Sequence, residues 1–319
     1  MPVTIEIPKE KWTGKVREIT LGATPADGGP RTKPVTVGGE TTLPFLHFEG
    51  AIPNAPKLAV EIKSRKPAVG DWSPLLFEAW GDAMDDPGAW AKAAEAAGAD
   101  LILMTLSTQD TPDEARAALK KVLGATGLPV GVFGPGQAEK DNELIVPVAE
   151  AGAGEKLLLG VCEDKNYRTI VAAALAHGHL VDSRTPMDVN LSKQLIILIK
   201  DMGMPLERII MDPSTGALGY GIEYGYSVME RLRLAALGGD GMTQQPMLVT
   251  VGEEAWKVKE AKVGEGVPAA WGDWKERSIN WEVLTSTALV ESGANVLVMR
   301  HPESVKHVKA VIAELMKKA

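Results

Sequence analysis

Residues 156–183 read KLLLGVCEDKNYRTIVAAALAHGHLVDS. KLLLGV (156–161) is an apolar run without period-two alternation, as expected of a strand buried on both faces. A segment rich in alanine follows, Asn166 to Ala176, and it stops before Gly178, a helix ending of the usual kind. HLVDS (179–183) then opens as a second apolar run. Strand, helix and strand in 28 residues form one βαβ unit. Its two strands must run parallel, because the crossover is helix-length.

The same alternation extends both ways from this unit. Upstream, the strand readings are KLAVEI (57–62), DLILMTL (100–106) and PVGVF (129–133). Downstream they are RIIMD (208–212), MLVTV (247–251) and NVLVM (295–299). Helices are predicted over 86–97, 112–123, 141–151, 186–202, 223–237, 278–292 and 302–317. With the central unit this makes eight strands, each followed by a helix, within about 260 residues, the usual size of a (β/α)8 barrel. An open doubly wound sheet is the alternative arrangement of the same elements.

Residues 1–56 differ. VTIEI, VREITLG, PVTVGG and PFLHFE are short strand-like pieces split by Gly and Pro. They read as an antiparallel β extension packed on a barrel of residues 57–319, too small to hold a core of its own. Between the seventh strand and its helix, residues 252–277 form a long segment without evident structure. It carries Trp256, Trp271 and Trp274, and loops of that length are usually functional or disordered.

Composition narrows the function. The net charge is −8, and no basic run with interleaved aromatics appears, which argues against nucleic acid. No apolar run approaches the ~20 residues that span a bilayer, and MPVTIEIPKEKW lacks a signal-peptide layout. The expectation is a cytoplasmic protein with no membrane partner. One cysteine, Cys162, excludes an internal disulfide and a self-sufficient iron–sulfur cluster, which takes about four thiolates. It reads as a small buried apolar residue. The five histidines show no zinc spacing. His177 and His179 read as a solvated cap and a strand start, and His301 as a surface residue opening the last helix.

In a barrel, the working groups follow the strands. Those positions here are 63–65, 107–109, 134–136, 162–164, 182–184, 212–216, 252–254 and 300–301: polar and small, with several glycines. They suit close backbone approach of a large planar or amide-rich ligand. The densest signal is MDPSTGALGYGIEYG (211–225). Asp212 and Thr215 read as ligand-facing hydrogen-bonding groups, with Ser214 and Gly216 beside them; equally, Asp212 reads as a cap on its own loop. Asp182 and Arg184 read as a structural ion pair or as functional groups. The candidate binding residues are, in order, Asp212, Ser214, Thr215 and Gly216, then Ser107 and Thr108, then Trp271 in the 266–274 loop. No catalytic residue and no metal ligand is assigned.

Three stretches carry a family resemblance: HLVDSRTPMDVNLSKQLIILIKDMGMPLERIIMDPSTGALGYGIEYGYSVMERLRLAAL (179–237), PFLHFEGAIPNAPKLAVEI (44–62) and GVPAAWGDWKERSINWE (266–282). They resemble the small subunit of the corrinoid iron–sulfur protein, whose archaeal relatives are the delta subunits of the acetyl-CoA decarbonylase/synthase complex. The resemblance implies a TIM barrel paired with a larger subunit that carries the [4Fe–4S] cluster and most of the cobalamin site. Cobalamin is then shared, with the barrel rim over its reactive face. It further implies a methyl group arriving from methyltetrahydrofolate through a methyltransferase and leaving to acetyl-CoA synthase, in the reductive acetyl-CoA (Wood–Ljungdahl) pathway of acetogenesis and carbon fixation. The lone cysteine and the absence of an Asp-x-His-x-x-Gly segment agree with that division of labour. The alternative is a pterin-dependent corrinoid methyltransferase barrel, in which Asp182, Asp212 and Asn190 would be recruited. A purely structural subunit with an inert rim is a third reading.

Overall fold

The computed structural model describes residues 7–317. Its centre is a closed barrel of eight parallel strands. These are β3 (Lys57–Lys63), β4 (Leu101–Thr105), β5 (Val130–Phe133), β6 (Leu158–Cys162), β7 (Leu180–Arg184), β8 (Ile209–Asp212), β9 (Met247–Val249) and β10 (Ala294–Met299). Each pairs with its neighbour in sequence order, and β10 closes on β3 with Val298 opposite Ala59. The eight apolar runs and their parallel pairing are therefore as read from the sequence, and the open sheet is excluded.

Alternation within each strand sorts its side chains. Ala59, Leu103, Leu158, Leu180, Ile210 and Val298 fill the barrel interior. Their neighbours, among them Val60, Met104, Val181 and Met211, pack outward under the helices. Both faces are thus apolar, which is why the runs show no alternation of polarity.

The helices are α1 (Pro74–Trp80), α2 (Pro87–Ala96), α3 (Pro112–Ala125), α4 (Ala138–Ala151), α5 (Tyr167–His177), α6 (Val189–Asp201), α7 (Ile222–Leu237), α8 (Val251–Ala255), α9 (Lys259–Lys262), α10 (Trp274–Glu291) and α11 (Pro302–Leu315). Caps set several starts. The Asp188 carboxylate accepts from the N–H groups of Asn190 and Leu191, so α6 begins three residues after Pro186. Asp273 caps α10 through the Glu276 N–H, four residues ahead of the expected start at Ser278. Helix α1, opened by Ser73 and Pro74, was not anticipated.

The segment 252–277 is not structureless. It contains most of α8 and all of α9, and side chains tie it together, Arg277 above all. The Arg277 guanidinium donates to the carbonyls of Glu260, Val263, Trp271 and Gly272 at 2.6–3.3 Å.

At the amino terminus, β1 (Ile19–Leu21) and β2 (Val35–Val37) form the antiparallel pair. Ile19, Leu21, Val35 and Val37 belong to the same apolar cluster as the barrel interior, while Thr20 and Thr36 meet on the other face with hydroxyls 2.9 Å apart. The pair is tied to the segments that precede strands: Gly22 donates to the Lys156 carbonyl and Arg31 to that of Thr126. It therefore plugs the amino end of the barrel. VTIEI lies outside the described residues except Ile7, which has no regular structure. PFLHFE is a turn, not a strand. Phe45 takes the left-handed φ of 58°, and Leu46 and Glu49 donate to the carbonyls of Leu43 and Leu46.

Candidate functional site

With the amino end plugged, the carboxyl end is the open mouth. It holds a cavity of about 150 Å³ whose wall includes Glu61, Lys63, Phe133, Glu163, Arg184 and Glu253. These side chains continue the inward-facing rows. Above Ala59 come Glu61 and Lys63; above Leu180 come Asp182 and Arg184; above Ile210 comes Asp212; above Val298 comes Arg300. On these four strands the barrel interior changes from aliphatic to charged within two residues.

Three ion pairs, two of them on Glu61, organise the charge. The Glu61 carboxylate binds Arg300 Nε at 2.5 Å and Lys63 Nζ at 2.5 Å, and it accepts the Thr105 hydroxyl at 3.0 Å. Burial alone would raise the Glu61 carboxyl, but Arg300 and Lys63 outweigh it and hold the group well below the usual carboxylate range. The Arg300 guanidinium also lies 4.7 Å from the Trp72 ring centre. Across the mouth, Arg184 Nε is 2.6 Å from Asp212 Oδ2, and its guanidinium lies 5.8 Å from the Phe133 ring centre.

Asp182 is left over. It is wholly buried, and among the described residues neither carboxylate oxygen has a partner. Burial, reinforced by the charge of Asp212, pushes its pKa well above the usual value. The expected Asp182–Arg184 pair is not formed, because strand β7 sends both side chains inward two residues apart while Arg184 reaches across to β8. Glu163, at the outer lip, is raised by desolvation, with Asp141 and Asp212 adding to the effect and Arg184 opposing it.

Several rim positions read from the sequence line this cavity, among them Lys63, Gly134, Glu163, Arg184 and Glu253, but the ranked binding candidates do not. Asp212 caps its loop by accepting the Ser214 N–H at 2.8 Å, as its capping reading has it; it also holds Arg184, and it is fully buried. Ser214 has a φ of 64° and accepts the Gly216 N–H. Thr215 is buried and donates to the Thr250 carbonyl at 3.3 Å. Gly216 is exposed. On the opposite lip, Ser107 accepts the Gln109 N–H and donates its own N–H to buried Asp110, while Thr108 faces solvent. Trp271 stands apart, in a separate groove formed with α7 and α10.

Sequence reasoning missed Glu61, hidden inside an apolar run. The available signal was its place two residues from Ala59 and from Lys63, on one face. His301 is buried, not superficial. It caps α11 and stacks on Trp256 with ring centres 5.7 Å apart. His179 is likewise buried, accepting the Leu157 N–H at Nδ1 and facing the Ala149 carbonyl at Nε2. Cys162 is fully buried, and burial pushes its thiol well up. Among the described residues no group of three or more His, Cys, Asp or Glu is placed to hold a metal ion, and no helix is long and apolar enough to cross a membrane.

Fold and mouth together define a (β/α)8 barrel with a charged cavity at the carboxyl ends of its strands. Solved structures agree on the architecture. A Coxiella burnetii dihydropteroate synthase bound to pteroic acid superposes with a TM-score of 0.58 at 13% identity, covering 94% of this chain and 100% of that one. A Xanthomonas albilineans dihydropteroate synthase with 4-aminobenzoic acid gives 0.56 at 14%, covering 84% and 96%. At such identities the likeness is one of fold. Sequence goes further: the profile for the CO dehydrogenase/acetyl-CoA synthase delta subunit matches residues 18–314, and the chain belongs to that family. It is 37% identical to the Archaeoglobus fulgidus acetyl-CoA decarbonylase/synthase complex subunit delta over 96% of this chain and 70% of that protein. The Methanopyrus kandleri subunit delta is 38% identical over 92% and 73%.

Proposed function

We propose that this chain is the small subunit of a cytoplasmic corrinoid iron–sulfur protein, and that its barrel mouth walls the methyl-bearing face of a cobalamin carried by a larger subunit. The partners on this reading are that larger subunit, which holds the [4Fe–4S] cluster, a methyltetrahydrofolate:corrinoid methyltransferase and acetyl-CoA synthase. Family membership supplies the complex. The observation that carries the division of labour is the size of the mouth. At about 150 Å³ it falls below the ~300 Å³ at which pockets begin to enclose drug-sized ligands, so a macrocycle fits over it and not inside it.

The donor set fits such a wall. The lone thiol is buried, and the groups at the mouth would offer a bound macrocycle hydrogen bonds and excluded volume. Cobalamin, when bound, supplies the methyl-carrying cobalt. The chain's own residues do the rest. Arg184 and Glu163 present a donor and an acceptor at the lip. The backbone at Gly134 and Gly136 permits close approach. Ser107, Thr108, Ser214 and Gly216 flank the opening with hydroxyls and exposed backbone. Phe133, Leu103 and Val298 floor the cavity and exclude water beneath the opening.

The test is reconstitution with the larger subunit. The heterodimer is expected to retain a corrinoid absorption band through gel filtration, and the isolated chain to lose it. Retention of cobalamin by the isolated chain as firmly as by the heterodimer would overturn the shared-site reading.

A further inference from the structure

Beside the mouth, on the outer wall, helices α7 and α10 leave a groove of about 600 Å³. Its lining is largely apolar: Leu218, Ile222, Trp271, Trp281, Leu284 and Ala288. Leu284 is 68% exposed, and Tyr220 and Tyr224, next to the groove on the loop into α7 and on α7, are 89% and 55% exposed. Aromatic and aliphatic side chains held open on a rigid helical face mark an interaction surface.

The charge at its edge is one-sided. Asp273 and Glu276 line the groove and, among the described residues, form no ion pair. The only cation of the lining, Arg277, has its guanidinium committed to four backbone carbonyls and lies 5.5 Å from the Trp271 ring centre. A second copy of this chain would bring the same two carboxylates to the same edge, and like charges at an interface oppose association. A small molecule would leave Leu284 and the tyrosines in water.

We propose that this groove docks an amphipathic helix of the larger subunit, its apolar face on Trp281 and Leu284 and its flanking lysines or arginines facing Asp273 and Glu276. Helix-in-groove recognition uses this combination of an apolar floor and charged ends. The identity of the partner rests on the proposed function; the chemistry of the groove does not.

The test measures association of the two full-length subunits by calorimetry and follows amide hydrogen exchange over 274–288. Leu284→Glu, at an exposed helix position, is expected to fold normally and to weaken association at least tenfold. Asp273→Lys with Glu276→Lys is expected to weaken it and to reverse the sign of its salt dependence. Exchange over 274–288 is expected to slow in the complex. Wild-type affinity for Leu284→Glu with unchanged exchange overturns the groove proposal and leaves the mouth reading standing. If the larger subunit fails to bind at all, the mouth reading falls, and the groove is judged with synthetic 18-residue helices of Leu and Lys or of Leu and Glu. Preference for the lysine helix, lost in Leu284→Glu, supports the groove; equal binding of the two helices refutes it.

Discussion

Arg184 on β7 reaches past Asp182, its neighbour two residues earlier on the same strand face, and binds Asp212 on β8 at 2.6 Å. One buried carboxylate is thereby neutralised and a second is stranded beneath it. The pair bridges adjacent strands at the level where the barrel interior opens to solvent, so it fixes the shape of the mouth.

Asp212→Ala should be strongly destabilising. Removing one partner of a buried pair costs about 3–5 kcal/mol, mainly because the other charge is left uncompensated. Here the low end is expected, since the Arg184 side chain keeps 20% exposure. Asp212→Ala combined with Arg184→Met should recover most of the loss. Urea denaturation of the two single variants and the double variant gives the coupling directly; additive losses would show that the pair contributes no joint stabilisation.

Asp182 predicts an unusual pH response. Its folded pKa is raised by burial and by the charge of Asp212, whereas its unfolded value is about 3.9. Above that value the unfolded chain releases the proton while the folded protein keeps it. Stability is therefore lost as pH rises toward the folded pKa. Asp182→Asn removes the titration. Its stability relative to wild type should increase steadily from pH 4 upward, and a pH-independent difference in denaturation midpoints would contradict the assignment.

His179 and His301 predict the opposite slope at lower pH. Both are buried, and both pKa values are lowered from 6.5 to about 4, by burial first. Below about 6.5 the unfolded state takes up protons that the folded state refuses, so stability is present above that pH and lost as pH falls toward 4. A shift of about 2.5 units at 1.36 kcal/mol per unit gives a loss of roughly 3 kcal/mol for each histidine. Denaturation midpoints measured from pH 7 to pH 4 should fall, and replacing either histidine with Gln should flatten part of the slope.

The barrel was legible in the sequence because parallel strands covered on both faces leave unmistakable apolar runs. The chemistry was less legible because it depends on closure. Glu61 and Arg300 are 239 residues apart, and only the pairing of β10 with β3 brings them together. Asp212 was found because its loop announces itself with Pro and Gly; Glu61 was missed because it interrupts a strand without ending it. His301 looked superficial from its place at a helix start, yet Trp256, from the long segment read as a loop, covers it.

The plug at the amino end makes a stability prediction of its own. Ile19 is 1% exposed and packs with the barrel interior. Ile19→Ala should cost about 2–5 kcal/mol, the range for truncating a core aliphatic. Thr20→Ala, on the opposite face of the same strand, should cost about 1 kcal/mol, the loss of one hydrogen bond. Comparable effects from both substitutions, measured by thermal or urea unfolding, would mean that the hairpin does not seat in the barrel.

Glu282 joins the outer helices to the mouth. It is fully buried on α10, and its carboxylate accepts the N–H groups of Arg300 at 2.6 Å and His301 at 3.2 Å. Those two bonds hold the turn from β10 into α11, and so place the Arg300 side chain over Trp72 and against Glu61. Burial raises the Glu282 pKa despite these donors. Glu282→Ala orphans both N–H groups, at about 1–3 kcal/mol each, so a total loss of about 2–6 kcal/mol is expected. Glu282→Gln keeps an acceptor oxygen in place and should lose less than half as much. If Gln is as damaging as Ala, the second carboxylate oxygen, and not the hydrogen-bonded turn as a whole, is what the structure depends on.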